Sequence, residues 1–233
     1  MKREIVFDTE TTGVDVVRGD RVIEIGCVEL LNHIPTGRNW HAYINPERPV
    51  SQGAFEVHGL SDEFLKDKPV FSIVAGDFLG FIEDADLIAH NATFDVGFLN
   101  AEFARLNLPA LVPDRVIDTL ALARRKHPGS PNSLDALCSR YGIDNSRRTK
   151  HGALLDAEIL AEVYIELLGG RQADLGLAPV LATTAVVAGA TSVTVATRPA
   201  PLPSPLSEAD LEAHATFRAT LGPNAVWRDY IES

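Results

Sequence analysis

The sequence is poor in the residues that build disulfide or zinc frameworks. Its 233 residues include 2 cysteines, Cys27 and Cys138, which stand far apart in apolar surroundings and form no Cys-x-x-Cys pair. This excludes a disulfide scaffold and a structural zinc site. Two reduced core cysteines are typical of a cytosolic protein, so we expect a cytoplasmic location.

Long hydrophobic segments are also lacking. Only three strongly apolar residues precede Asp8 after the N-terminal Met-Lys-Arg-Glu, fewer than a secretory signal needs. Residues 180–197 carry no charge, but they are mostly Ala, Val and Thr with a single Leu, a poor composition for a bilayer. The sequence therefore predicts neither export nor a membrane span.

Positive charge is scarce. Lys and Arg number 21 against 32 Asp and Glu, a formal net charge of −11. This excludes binding of duplex nucleic acid through bulk positive charge. It leaves open an enzyme that approaches nucleic acid through carboxylates neutralised by metal ions. One stretch, residues 115–150, is locally basic, with eight basic and three acidic side chains.

Several common catalytic motifs are missing. The sequence has no Gly-x-Gly, Gly-Lys-Ser/Thr, His-Glu-x-x-His or Gly-x-Ser-x-Gly, which excludes the dinucleotide loop, the P-loop, the zinc protease helix and the nucleophile elbow. Asp8-Thr9-Glu10 has some likeness to the Asp-x-Asp phosphatase signature. Its second acid is Glu, however, and no matching downstream Lys and acidic loop follow.

The composition changes near Gly169-Gly170, where alternating strand and helix patterns give way to Ala, Thr, Val and Pro. Prolines then recur at positions 179, 199, 201, 203 and 205, which is typical of an extended linker. We predict a folded domain over residues 1–170, a flexible linker over 178–205 and a terminal segment with a helix over 206–233.

Within the first domain, three early β-rich runs predict an antiparallel meander. They cover Arg3–Phe7, Arg21–Leu31 and Asn39–Ile44, with turn signals at Gly19-Asp20 and Pro35-Thr36-Gly37. Helices and strands then alternate. The later elements are helices over residues 71–81, 94–106, 133–142 and 153–168 and strands at 86–89 and 116–117. Together these predict an α/β fold with a mixed sheet flanked by helices.

Asp8 and Glu10 are the first candidates for chemistry. They follow the apolar run Ile5-Val6-Phe7, and residues two apart on a strand point to the same side. Two adjacent carboxylates at the end of a buried strand repel each other, and a divalent cation relieves that repulsion. The alternative is that Asp8 caps a loop and Glu10 is solvated.

Asp95, His151 and Asp156 are further candidates. Asp95 lies in the first turn of a predicted helix, where an acid is also favoured by the helix dipole alone. Gly152 frees the backbone between His151 and the helix carrying Asp156, so the histidine can lie above a site to which Asp156 points. The alternative is that His151 is an ordinary exposed histidine, which usually has no function. The neighbouring basic residues Arg147, Arg148 and Lys150 can hold phosphates or form a solvated face.

Taken in order, three motifs resemble those of the DnaQ-like 3′→5′ exonucleases, the His variant of the DEDD group. They are Phe7–Gly13, His90–Asp95 and His151 followed by Asp156, with supporting likeness at Val57–Leu60 and Asn132–Cys138. The resemblance covers about residues 3–172 and is strongest to the proofreading subunits of bacterial DNA polymerase III. It implies a ribonuclease-H-like fold with a five-stranded mixed sheet.

The resemblance also implies roles for single residues. Asp8, Glu10, Asp95 and Asp156 would hold two divalent ions, Mg²⁺ or Mn²⁺, and His151 would take the proton from the attacking water. The expected contacts to the terminal nucleotide are Thr9, Val57, His58 and Asn91. The implied reaction releases nucleoside monophosphates from a single-stranded or frayed 3′ end of DNA.

Two partners are implied as well. Residues 171–177 resemble a clamp-binding peptide, with Gln172, Leu175 and Leu177 as its anchors on the sliding clamp (beta). In the terminal segment, Ser207 can cap a helix with an apolar stripe, and Phe217, Leu221 and Trp227 would bind the polymerase catalytic (alpha) subunit. Two alternatives stay open: an RNA-trimming exonuclease of the same superfamily, and a replisome adaptor that acts mainly by docking.

Overall fold

The structure is a computed structural model that describes residues 2–148, 150–169 and 207–220. The chain divides into two compact units, Met1–Ala178 and Pro179–Ser233. The predicted linker and clamp-binding peptide lie outside the described residues, as do Leu221 and Trp227.

A five-stranded mixed sheet forms the centre of the first unit. Its strands are β1 (Arg3–Thr11), β2 (Val22–Leu31), β3 (Ile34–Tyr43), β4 (Asp86–Ala89) and β5 (Val116–Asp118), in the order β3-β2-β1-β4-β5. β1 pairs antiparallel with β2 and parallel with β4, and β4 pairs parallel with β5. The predicted mixed sheet of five strands is confirmed.

Seven α-helices of the first unit lie in the described ranges. They are α1 (Gln52–His58), α2 (Asp62–Leu65), α3 (Phe71–Ile82), α4 (Ala92–Arg105), α5 (Thr119–Lys126), α6 (Leu134–Tyr141) and α7 (Ala153–Leu168). The predicted ends of α6 are confirmed: the Ser133 hydroxyl caps its first turn and Gly142 ends it in the left-handed conformation, which glycine adopts without strain.

Apolar side chains cover both faces of the sheet. Ile5 and Phe7 of β1 belong to the larger cluster, which includes Phe78 of α3 and Phe103 of α4. On the opposite face, Val6 packs in a second cluster with α7, whose sheet-facing residues are Ala157, Leu160, Ala161 and Tyr164. Successive side chains of β1 therefore point to opposite faces of the sheet and enter two separate core clusters. Burial of apolar surface in these clusters stabilises the packing of helices on both faces.

The hairpin between β2 and β3 differs from the sequence prediction. The turn lies at Asn32-His33, which both have positive φ, and the expected turn residues Pro35-Thr36-Gly37 belong to β3. Adjacent residues with positive φ match the twist of a two-residue hairpin, and Asn tolerates this conformation. Proline is accepted in β3 because that strand lies at the edge of the sheet.

The carboxyl ends of β1, β4 and β5 lie at one edge of the sheet because the three strands run in the same direction. α4 begins just after β4, and α5 begins directly after β5. Chain segments that leave parallel strands at a common edge bring their first residues together, and this edge is where ligands bind in open α/β sheets.

The second unit contributes α8 (Glu208–Thr220) to the described residues. The Ser207 hydroxyl accepts a hydrogen bond from the Asp210 amide and donates one to the Asp210 carboxylate, which confirms the predicted cap. Leu211 and Phe217 are more than half exposed. Within the described ranges, no helix has the length and apolar character that crossing a membrane requires.

Candidate active site

Asp8 and Glu10 lie near the end of β1, as predicted, and the strand continues one residue further, to Thr11. The longer strand follows from its pairing with β2, in which Asp8 is opposite Gly26 and Glu10 is opposite Glu24. Both acidic side chains share the face of the sheet that α7 covers, as their spacing of two residues requires.

Gly26 allows α7 to approach this face. A Cβ atom at Gly26 would lie 2.2 Å from the backbone nitrogen of Leu154 and 2.3 Å from the carbonyl carbon of Ala153. The first turn of α7 therefore rests directly on the backbone of β2. Asp156 belongs to that turn and is buried, which brings its carboxylate to Asp8 and Glu10.

Asp95 reaches the site from the opposite face of the sheet. It lies in the first turn of α4, as predicted, and is buried. The Thr9 backbone amide and hydroxyl both donate to its Oδ1 atom, at 3.1 and 2.7 Å. Thr9, the strand residue between Asp8 and Glu10, thus connects Asp95 to β1.

His151 lies on the loop before α7, as predicted, and its side chain is 46% exposed. Its backbone amide donates to the carbonyl of Val57 at 3.3 Å, and Lys150 donates to the Glu56 carbonyl. The loop is therefore attached to the end of α1. Ligand atoms of Glu10, His151 and Asp156 all lie within 4.8 Å of one another.

Three of the four acids have strongly raised pKa values. Burial, with added repulsion from Glu24 and Asp156, raises the pKa of Glu10 to about 8. Burial raises the pKa of Asp95 to about 7, although the Thr9 hydrogen bonds oppose the rise. Burial and the carboxylates of Asp95, Glu10 and Asp156 raise the pKa of Asp8 well above its usual range. Each shift reflects buried negative charge without enough positive charge nearby.

Asp156 is the exception because it has a cationic partner. Burial acts to raise its pKa, but hydrogen bonds from the Arg148 guanidinium outweigh burial and lower it. Arg148 Nε donates to Asp156 Oδ1 at 2.6 Å, and Nη2 donates to Oδ2 at 2.8 Å. Arg148 itself is 8% exposed, so the solvated basic face considered from the sequence is wrong for this residue.

The predicted substrate contacts lie on β1, at the end of α1 and at the turn before α4. Val57 and His58 are the last residues of α1, not a loop, since Gly59 ends the helix in the left-handed conformation. His58 is buried, which lowers its pKa, and its Nδ1 atom accepts from the Leu60 amide. Val57 and Asn91 are exposed. The Thr9 hydroxyl is engaged with Asp95, and its contact with a nucleotide stays a prediction.

Sequence reasoning missed two neighbours of the site. Glu24 is buried opposite Glu10 and lies 2.7 Å from Nε2 of His41. Asp118 ends β5 and accepts from the Asn91 amide at 3.0 Å, which fixes the turn before α4. Side chains alternate along β2, so Glu24 lies on the same face as Gly26. Glu24 could have been predicted only from the register between β1 and β2, which pairs it with Glu10. Asp118 had no comparable signal.

The donor set fits divalent metal ions. Buried carboxylate oxygens with a neighbouring imidazole are the ligands that Mg²⁺ and Mn²⁺ accept. The raised pKa values show that these acids lack compensating charge, which cations would supply. Such an arrangement can bind phosphate groups and hydrolyse a phosphodiester.

Comparisons with known proteins agree with this site. The exonuclease (RNase T) family model matches residues 5–164. DNA polymerase III subunit epsilon of Rickettsia felis is 56% identical over 173 residues, which cover 73% of this chain and 76% of that protein. The Haemophilus influenzae subunit is 55% identical over 175 residues, covering 72% and 68%. The Salmonella typhimurium subunit is 54% identical over 176 residues, covering 72% of both.

Solved structures share the fold. Exonuclease X in complex with 5′ overhanging duplex DNA has a TM-score of 0.56 at 28% identity, covering 72% of this chain and 92% of that one. The nuclease domain of 3′hExo, a DEDDh family member bound to rAMP, has a TM-score of 0.63 at 19% identity with the same coverage and shows the fold alone. The chain therefore belongs to the exonuclease family and, within it, to the epsilon subunits of DNA polymerase III, which supply the 3′→5′ proofreading exonuclease.

Proposed function

We propose that the chain removes the terminal nucleotide from a mispaired or single-stranded 3′ end of DNA by metal-dependent hydrolysis, releasing a nucleoside monophosphate. One observation carries the proposal. Asp8, Glu10, Asp95 and Asp156 come from three separate elements and meet, with His151 beside them, at the carboxyl edge of the sheet.

The four carboxylates hold the metal. Asp8 lies near the other three acids, all of which act on its pKa, and it would help to hold both ions. Glu10 and Asp156 would help to hold one ion, and Asp95 would help to hold the other. When bound, the two divalent ions lower the pKa of the attacking water and stabilise the leaving 3′ oxygen. Mg²⁺ and Mn²⁺ both suit an oxygen-rich site of this kind.

His151 takes the proton from the attacking water. Its loop position leaves the imidazole 46% exposed at the mouth of the site, within reach of solvent and substrate. Imidazole is the side chain most often used to transfer protons near neutral pH. The attachment of the loop to Val57 keeps the histidine beside the residues that contact the nucleotide.

The terminal nucleotide binds against α1 and the adjoining turns. Val57 offers an exposed apolar side chain, His58 a buried neutral imidazole, and Asn91 an exposed amide at the start of α4. Thr9 contributes from β1. These groups hold the sugar and base of the 3′ residue while the carboxylate edge receives its phosphate.

The rest of the chain connects this nuclease to the replication machinery in the cytoplasm. Gln172, Leu175 and Leu177 bind the sliding clamp, and the segment with Phe217, Leu221 and Trp227 binds the polymerase catalytic subunit. Only Phe217 is in the described part of the chain, where it is 59% exposed on α8. An exposed aromatic on a short helix is typical of a partner-binding surface. The linker raises the local concentration of nuclease near the primer end.

The substrate is tested by direct comparison. A 3′-mispaired DNA primer–template and a single-stranded RNA oligomer are each incubated with the full chain and Mg²⁺ or Mn²⁺, using wild type and Asp8→Ala. We expect mononucleotide release from the DNA by the wild type, slower release from RNA, and neither reaction with Asp8→Ala. Asp86→Ala is the matched control, because Asp86 begins β4 at the opposite end of the sheet and should retain activity.

The alternatives predict other outcomes. Faster release from RNA than from DNA would favour the RNA-trimming exonuclease. Equal, negligible hydrolysis by wild type and Asp8→Ala, with polymerase binding intact, would favour an adaptor that acts by docking. Neither result is compatible with the proposal.

A further inference from the structure

Arg148 is buried in the candidate active site and contacts three different side chains. Besides its two hydrogen bonds to Asp156, its Nη1 atom donates to both carboxylate oxygens of Asp135 on α6, at 2.9 and 3.1 Å. Its Nη2 atom lies 2.8 Å from Nδ1 of His151. One guanidinium therefore joins a proposed metal ligand and the proposed base to a residue outside the site.

The contact with His151 determines which ring nitrogen carries the proton. A guanidinium has only N–H donors, so a nitrogen 2.8 Å from Nη2 must be an acceptor. A neutral imidazole with Nδ1 as acceptor carries its proton on Nε2. Neither nitrogen can then take a proton from water. The competing partner of Nδ1, Asp156 Oδ2, is farther away at 3.4 Å.

The contact with Asp156 competes with a metal ion. Arg148 donates to both carboxylate oxygens of Asp156, at 2.6 and 2.8 Å, and so pairs its positive charge with this acid. A divalent ion at Asp156 would meet this positive charge at close range. Binding the ion therefore requires Asp156 to exchange hydrogen bonds from Arg148 for metal coordination, at a cost to metal affinity.

Asp135 offers Arg148 another position. It is 59% exposed and already accepts two hydrogen bonds from the guanidinium, so Arg148 can keep a charged partner when it leaves Asp156. Without Arg148, the proton of His151 can move to Nδ1 and face the Asp156 oxygen. Nε2 then becomes free to accept a proton.

We propose that Arg148 is a positioning residue that holds Asp156 and His151 in an inactive arrangement in the metal-free protein and transfers to Asp135 when metal binds. The proposal rests on the proposed function, since it takes Asp156 as a metal ligand and His151 as the base. Under this proposal, removing the positive charge of Arg148 strengthens metal binding. Removing the carboxylate of Asp135 weakens metal binding.

Metal binding tests the proposal without an activity assay. Binding of Mn²⁺ to the full chain is measured by calorimetry for wild type, Arg148→Met and Asp135→Asn. We expect Arg148→Met to bind Mn²⁺ about tenfold more tightly, because the charged hydrogen bonds from Arg148 to Asp156 no longer compete with the ion. We expect Asp135→Asn to bind more weakly than wild type, because Arg148 loses its alternative partner.

Arg147→Met is the matched control. It removes the same charge from the neighbouring position, where the side chain is 74% exposed and lies 3.9 Å from Glu158. Its Mn²⁺ affinity should stay close to that of wild type. If Arg148→Met does not fold, Arg148→Lys serves instead. A single ammonium cannot serve all three partners, so tighter Mn²⁺ binding is expected there too, with a smaller gain.

The second measurement is the tautomer of His151, read from nitrogen NMR of the metal-free chain. We expect wild type and Arg147→Met to carry the proton on Nε2, and Arg148→Met to carry it wholly or partly on Nδ1. A His151 with its proton on Nδ1 in the metal-free wild type would overturn the proposal.

The binding results separate this proposal from the proposed function. Mn²⁺ affinity in Arg148→Met that equals or falls below that of Arg147→Met would overturn the role of Arg148 alone, provided wild type binds Mn²⁺ and Asp156→Asn does not. If wild type fails to bind Mn²⁺, or if Asp156→Asn binds it as well as wild type does, the metal site itself is wrong and the proposed function fails with it.

Discussion

The four acids of the candidate site are not equivalent. Asp156 has an arginine partner that keeps it ionised, whereas the buried Glu10 and Asp95 and the half-buried Asp8 lie among other carboxylates with little positive charge nearby. Folding the metal-free protein therefore concentrates negative charge at one edge of the sheet. This costs stability at neutral pH, and the metal that the site is proposed to bind would recover it.

The stability of the metal-free protein should fall as pH rises. Folding raises the pKa of Glu10 from 4.5 to about 8 and that of Asp95 from 3.8 to about 7. The folded state therefore holds protons that the unfolded state has released, so folding becomes less favourable as pH rises from the unfolded pKa values toward the folded values of about 7 and 8. We expect the melting temperature in EDTA to drop between about pH 5 and about pH 8.5, where the unfolded chain binds fewer protons.

The variant Glu10→Gln tests whether the fall in melting temperature with pH originates in the candidate site. The variant should melt close to wild type at low pH and above it at high pH, because the amide carries no charge to lose. Asp77→Asn is the control, since Asp77 is exposed on α3 and should leave the pH profile unchanged. A wild-type melting temperature that rises over this interval, with no gain in Glu10→Gln, would contradict the electrostatic account.

His151→Ala should lower the exonuclease turnover by about 10²–10⁴, the usual contribution of a positioned general base. The acidic limb of the pH–rate profile should change as well, whereas substrate affinity should change little. His127→Ala is the control, because His127 lies between α5 and α6 and is hydrogen-bonded to the Tyr141 hydroxyl rather than to a residue of the candidate site. An unchanged pH profile with a large loss of binding would make His151 a phosphate contact.

At the scale of elements, the close approach of α7 to β2 places Asp156. Gly26→Ala would put a methyl group against the backbone of Ala153 and Leu154. We expect a loss of stability of about 1–3 kcal/mol, typical of overpacking, and a larger proportional loss of turnover because the first turn of α7 must shift. Denaturant unfolding and exonuclease assays measure the two effects.

Gly76→Ala is the control for that substitution. Gly76 is in α3 and has nothing within 4 Å of an added Cβ atom. Alanine there should be neutral or stabilise by about 0.5–1 kcal/mol, since glycine is unfavourable inside a helix. Unchanged turnover in Gly26→Ala would show that the fit of α7 on β2 does not position the site.

Much of the element order could be predicted from local patterns. The Asp86–Ala89 strand, the Ser133 cap and the helix ending at Leu168 coincide with the observed elements because apolar spacing and capping residues act locally. α1 and α2 were missed, since they are only 7 and 4 residues long and too short for a periodic signal. The Asn32-His33 turn was missed because Pro and Gly nearby gave a stronger turn signal.

The candidate site was predicted in outline, and its charge balance was not. The spacing of Asp8 and Glu10 and the positions of Asp95 and Asp156 at helix starts are readable in one sequence. The burial of Arg148 is not, because a basic residue in a polar loop looks the same whether it faces solvent or a carboxylate. Glu24 likewise depends on register between two strands, which local patterns leave undefined. The assigned roles stay predictions.

At the scale of the whole molecule, residues up to Gly169 contain the sheet, its seven helices and the candidate site, and α8 belongs to a separate unit. A chain ending at Gly170 should therefore fold, retain exonuclease activity on single-stranded DNA and lose co-purification with the polymerase catalytic subunit. Phe217→Ala in the full chain should weaken that binding without changing activity on free strands.

The outcome depends on where the polymerase contacts lie. Full-affinity binding by the shortened chain would place them in the nuclease domain, and unfolding of the shortened chain would show that the terminal segment completes the core. Melting curves and pull-down with the catalytic subunit distinguish the two. Leu111→Ala, a core change inside the first unit, should lower stability without affecting docking in the folded fraction.

The most direct test of the account is the turnover of Asp8→Ala and Asp156→Asn on a 3′-mispaired primer–template, measured together with their metal-free melting temperatures. We expect a loss of turnover by orders of magnitude in both variants while both stay folded, with Asp8→Ala melting no lower than wild type because repulsion is relieved. Near-wild-type nuclease activity in either folded variant would contradict the assignment of the metal site.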